Sequence, residues 1–171
     1  YVYLSICDTL TSTPMPIFPD VLFGLTLRPY QEDLMAVFER RRGEGDRIYH
    51  FLAPPGSGKT IMGLEIARRL GHSAVIFSPN SAIQGQWVRT LRSLTDEITI
   101  STDPHDSADV LSLTYQSVSV KERDSGRLHP NAVEVLKRLA NRETLILDEC
   151  HHLTSHWAEV IQSLITPEKF V

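Results

Sequence analysis

From Pro29 onward the apolar positions fall into two alternating rhythms. Leu34, Val37 and Phe38, with Arg41 extending the same three-to-four spacing, predict a first helix. Arg40, Arg41 and Arg42 sit near its end, where cations suit the helix dipole, and Gly43 and Gly45 stop it. Short apolar runs then predict strands over Ile48–Leu52, Ala74–Ser78, Ile98–Ser101, Val110–Thr114 and Thr144–Leu147. Between them, Thr60–Leu70 reads as a helix closed by Gly71 and Ala82–Leu94 as a second. Asn131 with Glu134 three positions later reads as a capping box opening a third, to about Asn141. A last amphipathic helix places Trp157, Val160, Ile161 and Leu164 on one face. Strands that are nearly continuous in apolar residues, alternating with covering helices, predict an α/β fold of three layers around a mainly parallel sheet buried on both sides. Thr102–Asp109 and Ser119–Pro130 are polar and read as surface loops.

Residues 1–26 do not share these rhythms. Pro14, Pro16 and Pro19 break both helix and central-strand readings, so this stretch is expected to be an extended arm ahead of a single domain over 27–171. The chain has 171 residues, 42% of them hydrophobic and 22% charged, enough for one globular core but not for two full α/β domains. A net charge of -4 excludes a protein that coats nucleic acid by bulk charge, so any such contact is local. Cys7 and Cys150 stand far apart, without the spacing of a disulfide framework, which fits a reducing, intracellular (cytoplasmic) setting. The start, at Tyr1, carries no secretory signal, and no apolar run approaches the ~20 residues that cross a bilayer.

The chemistry concentrates in two places. Ala53-Pro54-Pro55-Gly56-Ser57-Gly58-Lys59-Thr60 follows a predicted strand and precedes a predicted helix, the context a phosphate-binding loop requires. Gly56 and Gly58 let the backbone bend close to a polyphosphate, so that amide N–H groups, including those of Pro55's successors through Ser57, and the helix N-terminus face the negative charge. Lys59 is placed to reach the β- and γ-phosphates of ATP, and the Thr60 hydroxyl to ligate Mg2+. An incidental Lys-Thr after a Pro/Gly-rich turn is the alternative, and the strand–loop–helix order disfavours it. Leu145-Ile146-Leu147-Asp148-Glu149 is an apolar run ending in two carboxylates, as expected of a buried strand delivering acids at its C-terminal edge. Asp148 would hold Mg2+ through water, and Glu149 would orient or deprotonate the attacking water, giving a catalytic set of Lys59, Asp148 and Glu149. Cys150, His151, His152 and His156 also cluster in a metal-like spacing, though Cys7 supplies no obvious fourth ligand.

Asp148-Glu149-Cys150-His151 is a variant of the DEAH-type box, and with the phosphate loop it makes the chain resemble a superfamily 2 helicase, in which Ala is usual at the position of Ala53. The resemblance implies a P-loop NTPase (RecA-like) domain, the first of two motor domains. Three further segments agree in order. Leu27-Arg28-Pro29-Tyr30-Gln31 resembles the glutamine motif, which implies that Arg28 and Gln31 belong to the nucleotide site and that Gln31 reads the adenine edge. Pro79 to Trp87 is similar to motif Ia, and Leu113-Thr114-Tyr115-Gln116 to the T-Y-Q segment. Together they imply nucleic-acid contacts from Asn80, Gln86, Thr114 and Arg89, with His151 coupling the two sites. Such contacts go to phosphates and carry little base specificity. Leu-Arg-Pro-Tyr-Gln, Asp-Glu-Cys-His-His and Trp157 look closest to the branch of type III restriction subunits and repair helicases, which implies DNA ahead of RNA.

The residues after the acidic box hold no Ser-Ala-Thr motif and no distal arginine pair. An arginine finger from a second motor domain is worth ~10³ to 10⁵ in rate, so hydrolysis of ATP by this chain alone is expected to be feeble. A P-loop switch that gates a partner, and a small-molecule kinase, are the competing functions. Glu149 and the motif Ia-like segment speak against the kinase.

Overall fold

The computed structural model describes residues 2–8, 24–118, 129–140 and 143–150. Strand β1 spans Val2–Asp8, helix α1 Pro29–Gly43, β2 Ile48–Ala53, α2 Lys59–Leu70, β3 Ala74–Ser78 and α3 Ser81–Leu94. They are followed by β4 (Ile100–Ser101), β5 (Val110–Thr114), a 3-10 turn over Tyr115–Val118, α4 (Pro130–Ala140) and β6 (Thr144–Asp148). The predicted helix over residues 157–164 and most of the predicted loop 119–130 lie outside the described residues.

The six strands form one sheet in the order β2-β1-β6-β3-β5-β4. β6, β3, β5 and β4 run parallel in that sequence, the expected parallel sheet. β1 departs from expectation. Instead of forming an arm outside the fold, Val2–Asp8 pairs antiparallel with β2 on one side and with β6 on the other. Proline cannot donate to a sheet ladder, but Pro14, Pro16 and Pro19 all come after the strand has ended. Leu4 and Ile6, two apart on one face, are fully buried in the core.

Each layer has its own apolar contacts. On one face Leu4, Ile6, Phe38, Phe51, Met62, Ile66, Ile76, Trp87, Leu91 and Ile146 pack beneath α1, α2 and α3. On the other, Val75, Phe77, Leu111, Leu113, Leu145 and Leu147 meet Ala132, Val135 and Leu139 of α4. Neighbouring residues of β3 and β6 therefore feed opposite cores, which is why their sequences read as unbroken apolar runs. β2 alternates instead: Tyr49, Phe51 and Ala53 are buried while Ile48 and Leu52 are exposed, so its second face is not covered as the sequence suggested.

Two local readings change with packing. The inward stripe of α1 is Gln31, Met35 and Phe38, whereas Val37 is exposed. The capping box at Asn131 does not form, because α4 begins one residue earlier and the Asn131 amide is used elsewhere. Its Nδ2 donates to the Ser117 carbonyl at 2.8 Å, and its Oδ1 lies 3.1 Å from His105 Nε2. The Thr102–Asp109 segment is a loop, tied to α4 by Arg138, which donates to the carbonyls of Asp106 and Ala108.

Candidate functional site

β2 and β6 are both antiparallel to β1, so they point the same way and deliver their carboxyl ends to one edge of the sheet. Ala53 and Asp148 mark those ends, which places the phosphate loop beside the acidic pair. Ligands bind at this edge in open α/β sheets. A cleft of about 300 Å3 opens here, lined by Gly56, Gly58, Lys59, Thr60, Gln86, Asp148 and Glu149 among others.

The loop owes its shape to glycine. Gly56 and Gly58 have φ of 76° and 80°, left-handed values that other residues adopt at a cost, and Gly58 caps the start of α2. A Cβ on Gly58 would lie 2.8 Å from Gln31 Nε2, so the loop is also clasped by α1. Gln31 Nε2 donates to the Ser57 carbonyl at 3.1 Å, the Tyr30 hydroxyl donates to the same oxygen, and Gln31 Oε1 accepts from Arg28 N–H at 2.9 Å. Gln31 is thus a buried strut between the first turn of α1 and the loop, not an amide held open in the cleft, while Arg28 is exposed at the mouth of that turn. Pro55, Gly56, Ser57 and Gly58 lie on the loop, and Lys59 and Thr60 open α2 behind it.

Lys59 Nζ donates to Glu149 Oε1 at 3.0 Å and stands 3.9 Å from Asp148 Oδ1. Glu149 has φ of 55°, a left-handed value rarely held by a non-glycine residue, which turns its carboxylate into the cleft at some local strain. Asp148 is held twice: the Trp87 indole donates to Oδ2 at 2.8 Å, and the Tyr115 hydroxyl donates to the Asp148 carbonyl at 2.9 Å. Its Oδ1 is buried and has no hydrogen-bond partner among the described residues. Burial pushes the Asp148 carboxyl above its ordinary value, against the opposing pull of the Trp87 bond and the Lys59 charge. Burial also raises the Tyr115 phenol, with Cys150, Asp148 and Glu149 adding to the shift, so that it remains a proton donor.

The residues nominated for nucleic acid divide. Asn80 is exposed and caps α3, its Oδ1 accepting from Ile83 N–H at 3.0 Å. Thr114, at the end of β5, accepts from Ser117 N–H at 3.2 Å, and Arg89 is exposed with its guanidinium over Gly85. Asn80 and Thr114 share the sheet edge that carries the cleft. Gln86 lies inside it, its Nε2 3.5 Å from Thr60 Oγ1, because the first turns of α3 lean over α2. His151, His152 and His156 lie outside the described residues, so neither the coupling role of His151 nor the Cys150–His cluster is placed. Trp87, named in the sequence only as the end of the motif Ia-like segment, is the site partner that sequence reasoning missed. The bond from its indole to Asp148 joins residues remote in sequence, and the one visible signal was a large aromatic beside a polar Gln86.

Among the described residues no helix is long and apolar enough to cross a membrane. Residues 24–170 match the family model described as type III restriction enzyme, res subunit. The chain is also 26% identical over 149 residues to the general transcription and DNA repair factor IIH helicase/translocase subunit XPB2 of Arabidopsis thaliana. That alignment takes in 80% of this chain and 18% of the relative. With the phosphate loop and the acidic pair facing one another across the edge of a RecA-like sheet, the chain belongs to the type III restriction enzyme res-subunit family of superfamily 2 helicase-like motor domains.

Proposed function

We propose that this chain is the ATP-binding motor domain of a nucleic-acid-dependent ATPase, a helicase or translocase acting on DNA ahead of RNA. The observation that carries the reading is the Lys59–Glu149 pair at 3.0 Å beside the unsatisfied Asp148 Oδ1. A partly buried cation and two carboxylates converge on a glycine loop at a helix N-terminus, an arrangement suited to a polyphosphate and its counter-ion. Lys59 exchanges its bond to Glu149 for the β- and γ-phosphates of ATP, which lets Glu149 orient a water and hold its proton. The donor set fits Mg2+: Thr60 Oγ1 would ligate the ion and Asp148 Oδ1 would hold it through water, from facing elements of the cleft. Mg2+, when bound, would neutralise charge on the transferring phosphate. Arg28 and Gln31 act at the adenine end, Gln31 after releasing the Ser57 carbonyl. Asn80, Arg89 and Thr114 contact nucleic-acid phosphates, with Gln86 and His151 between the two sites. That the relative is a helicase/translocase subunit of a DNA repair factor supports DNA. A second motor domain would supply the arginine finger, so this chain alone binds Mg-ATP and hydrolyses it poorly.

Titration calorimetry with Mg-ATP on the chain and on Lys59→Ala, followed by duplex DNA in the same cell, tests the reading. The expected result is binding that the variant loses, with a DNA signal. An intact, folded chain that ignores ATP would overturn it. ATP binding with no response to DNA or RNA would favour the nucleotide switch.

A further inference from the structure

Helix α3 touches the cleft through consecutive residues. Gln86 Nε2 reaches Thr60 Oγ1, and Trp87 Nε1 reaches Asp148 Oδ2 at 2.8 Å. One turn earlier Gln84 Nε2 donates to the Ser112 carbonyl at 2.6 Å, with Ser112 Oγ returning a bond to the Gln84 carbonyl. The helix is therefore anchored to β5 and presents its next residues to the start of α2 and the end of β6. The Trp87 ring is wholly buried and seated where α2 has no side chain: a Cβ on Gly63 would lie 2.6 Å from its Cη2. So seated, the indole cannot swing away from Asp148.

We propose that Trp87 is the positioning residue for the Asp148 carboxylate, an inference that rests on the nucleotide-binding reading and adds the group that fixes the plane in which that carboxylate faces the cleft. A carboxylate rotates about its terminal bond in a broad, two-fold well, so burial alone does not fix it. Indole is a donor with no acceptor capacity, and its N–H engages Oδ2. Oδ1 is then turned toward Lys59, buried and without a hydrogen bond among the described residues, the state in which an oxygen best serves a hydrated cation. Without the indole N–H, Oδ2 has lost that donor and no neutral side-chain bond fixes the plane of the carboxylate, which can rotate off the angle that aims an oxygen into the cleft. Outer groups that orient a ligand in this way typically alter metal affinity ~10- to 100-fold when removed.

The test uses the full chain and its Trp87→Phe variant, with mant-ADP fluorescence read in EDTA and across a Mg2+ titration. The expected result is nucleotide affinity in EDTA unchanged, with the Mg2+ concentration for half-maximal gain raised about 10-fold. An equal Mg2+ midpoint in both proteins would overturn the inference, as would an equal loss of affinity with and without Mg2+, the mark of a merely structural residue. Should Trp87→Phe not fold, benzothienylalanine at position 87, which puts sulfur in place of the N–H at nearly constant shape, is read in the same way. Failure of the wild-type chain itself to bind mant-ADP under either condition would instead strike the nucleotide-binding reading.

Discussion

Gly63→Ala is the sharpest probe of the contact between α2 and the Trp87 ring. Taken by itself, the change favours the helix by about 1 kcal/mol, since glycine is the poorer helix former. The added methyl would however lie 2.6 Å from Trp87 Cη2, 3.2 Å from Trp87 Cζ3 and 3.2 Å from Leu4 Cδ2, inside contact distance of two fully buried side chains. Overpacking of this kind costs about 1–3 kcal/mol. The ring can yield only by moving, and a displaced indole also forfeits its charged hydrogen bond to Asp148, worth roughly 1.5–3 kcal/mol. Set against the helical gain, the net destabilisation is roughly 1.5–5 kcal/mol. Urea unfolding followed by circular dichroism measures it directly. With a slope near 2 kcal/mol per M, the midpoint should fall by roughly 0.7–2.5 M. A Gly63→Ala protein as stable as the parent, or more so, would refute the seating of Trp87 on α2.

Two further outcomes follow from contacts elsewhere. Ile6→Ala should cost about 2–5 kcal/mol in the same unfolding assay if β1 is part of the sheet, whereas in an arm outside the fold it would change stability by less than about 0.5 kcal/mol. Glu65 is buried on α2; burial opposes its charge, but hydrogen bonds from Arg68 and Arg69 prevail and hold its carboxyl below the ordinary 4.5. A depressed carboxylate contributes stability that is present above the unfolded value and lost as pH falls through the folded one. Glu65→Gln should therefore be about 1–3 kcal/mol less stable at pH 7, with the gap closing below pH 4.5 as the parent protonates. A gap constant down to pH 3 would remove the ion pairs as its cause.

What the sequence makes legible here is local chemistry and unbroken apolar runs. Ala74–Ser78 and Val110–Thr114 could be bounded to the residue because both faces of those strands are buried and polar turns flank them. The phosphate loop is readable because glycine, lysine and threonine have few reasons to stand together between a strand and a helix. Other features depend on partners far along the chain. The buried stripe of α1 follows from what α1 packs on, so Met35 turns inward and Val37 outward although both suit a helical face. Asn131 has the right chemistry for a cap but finds the Ser117 carbonyl first. Gln31 and Trp87 owe their roles to Ser57 and Asp148, and no spacing rule reaches across those separations.

The antiparallel strand at the heart of the sheet has a consequence for the order of assembly. β2, which launches the phosphate loop, and β6, which ends in the acids, are not neighbours; residues 2–8 lie between them and bond to both. During synthesis these residues are made before β2 and β6, yet half of their ladder waits for residues 144–148. Pairings so distant in sequence form slowly, because loop closure must precede any contact that rewards it. Until β6 arrives, β1 and β2 can form no more than a two-stranded ribbon, marginal on its own. Lys59 and Glu149 are thus brought within 3.0 Å of each other only when β6 joins β1, so the cleft and this part of the sheet arise together.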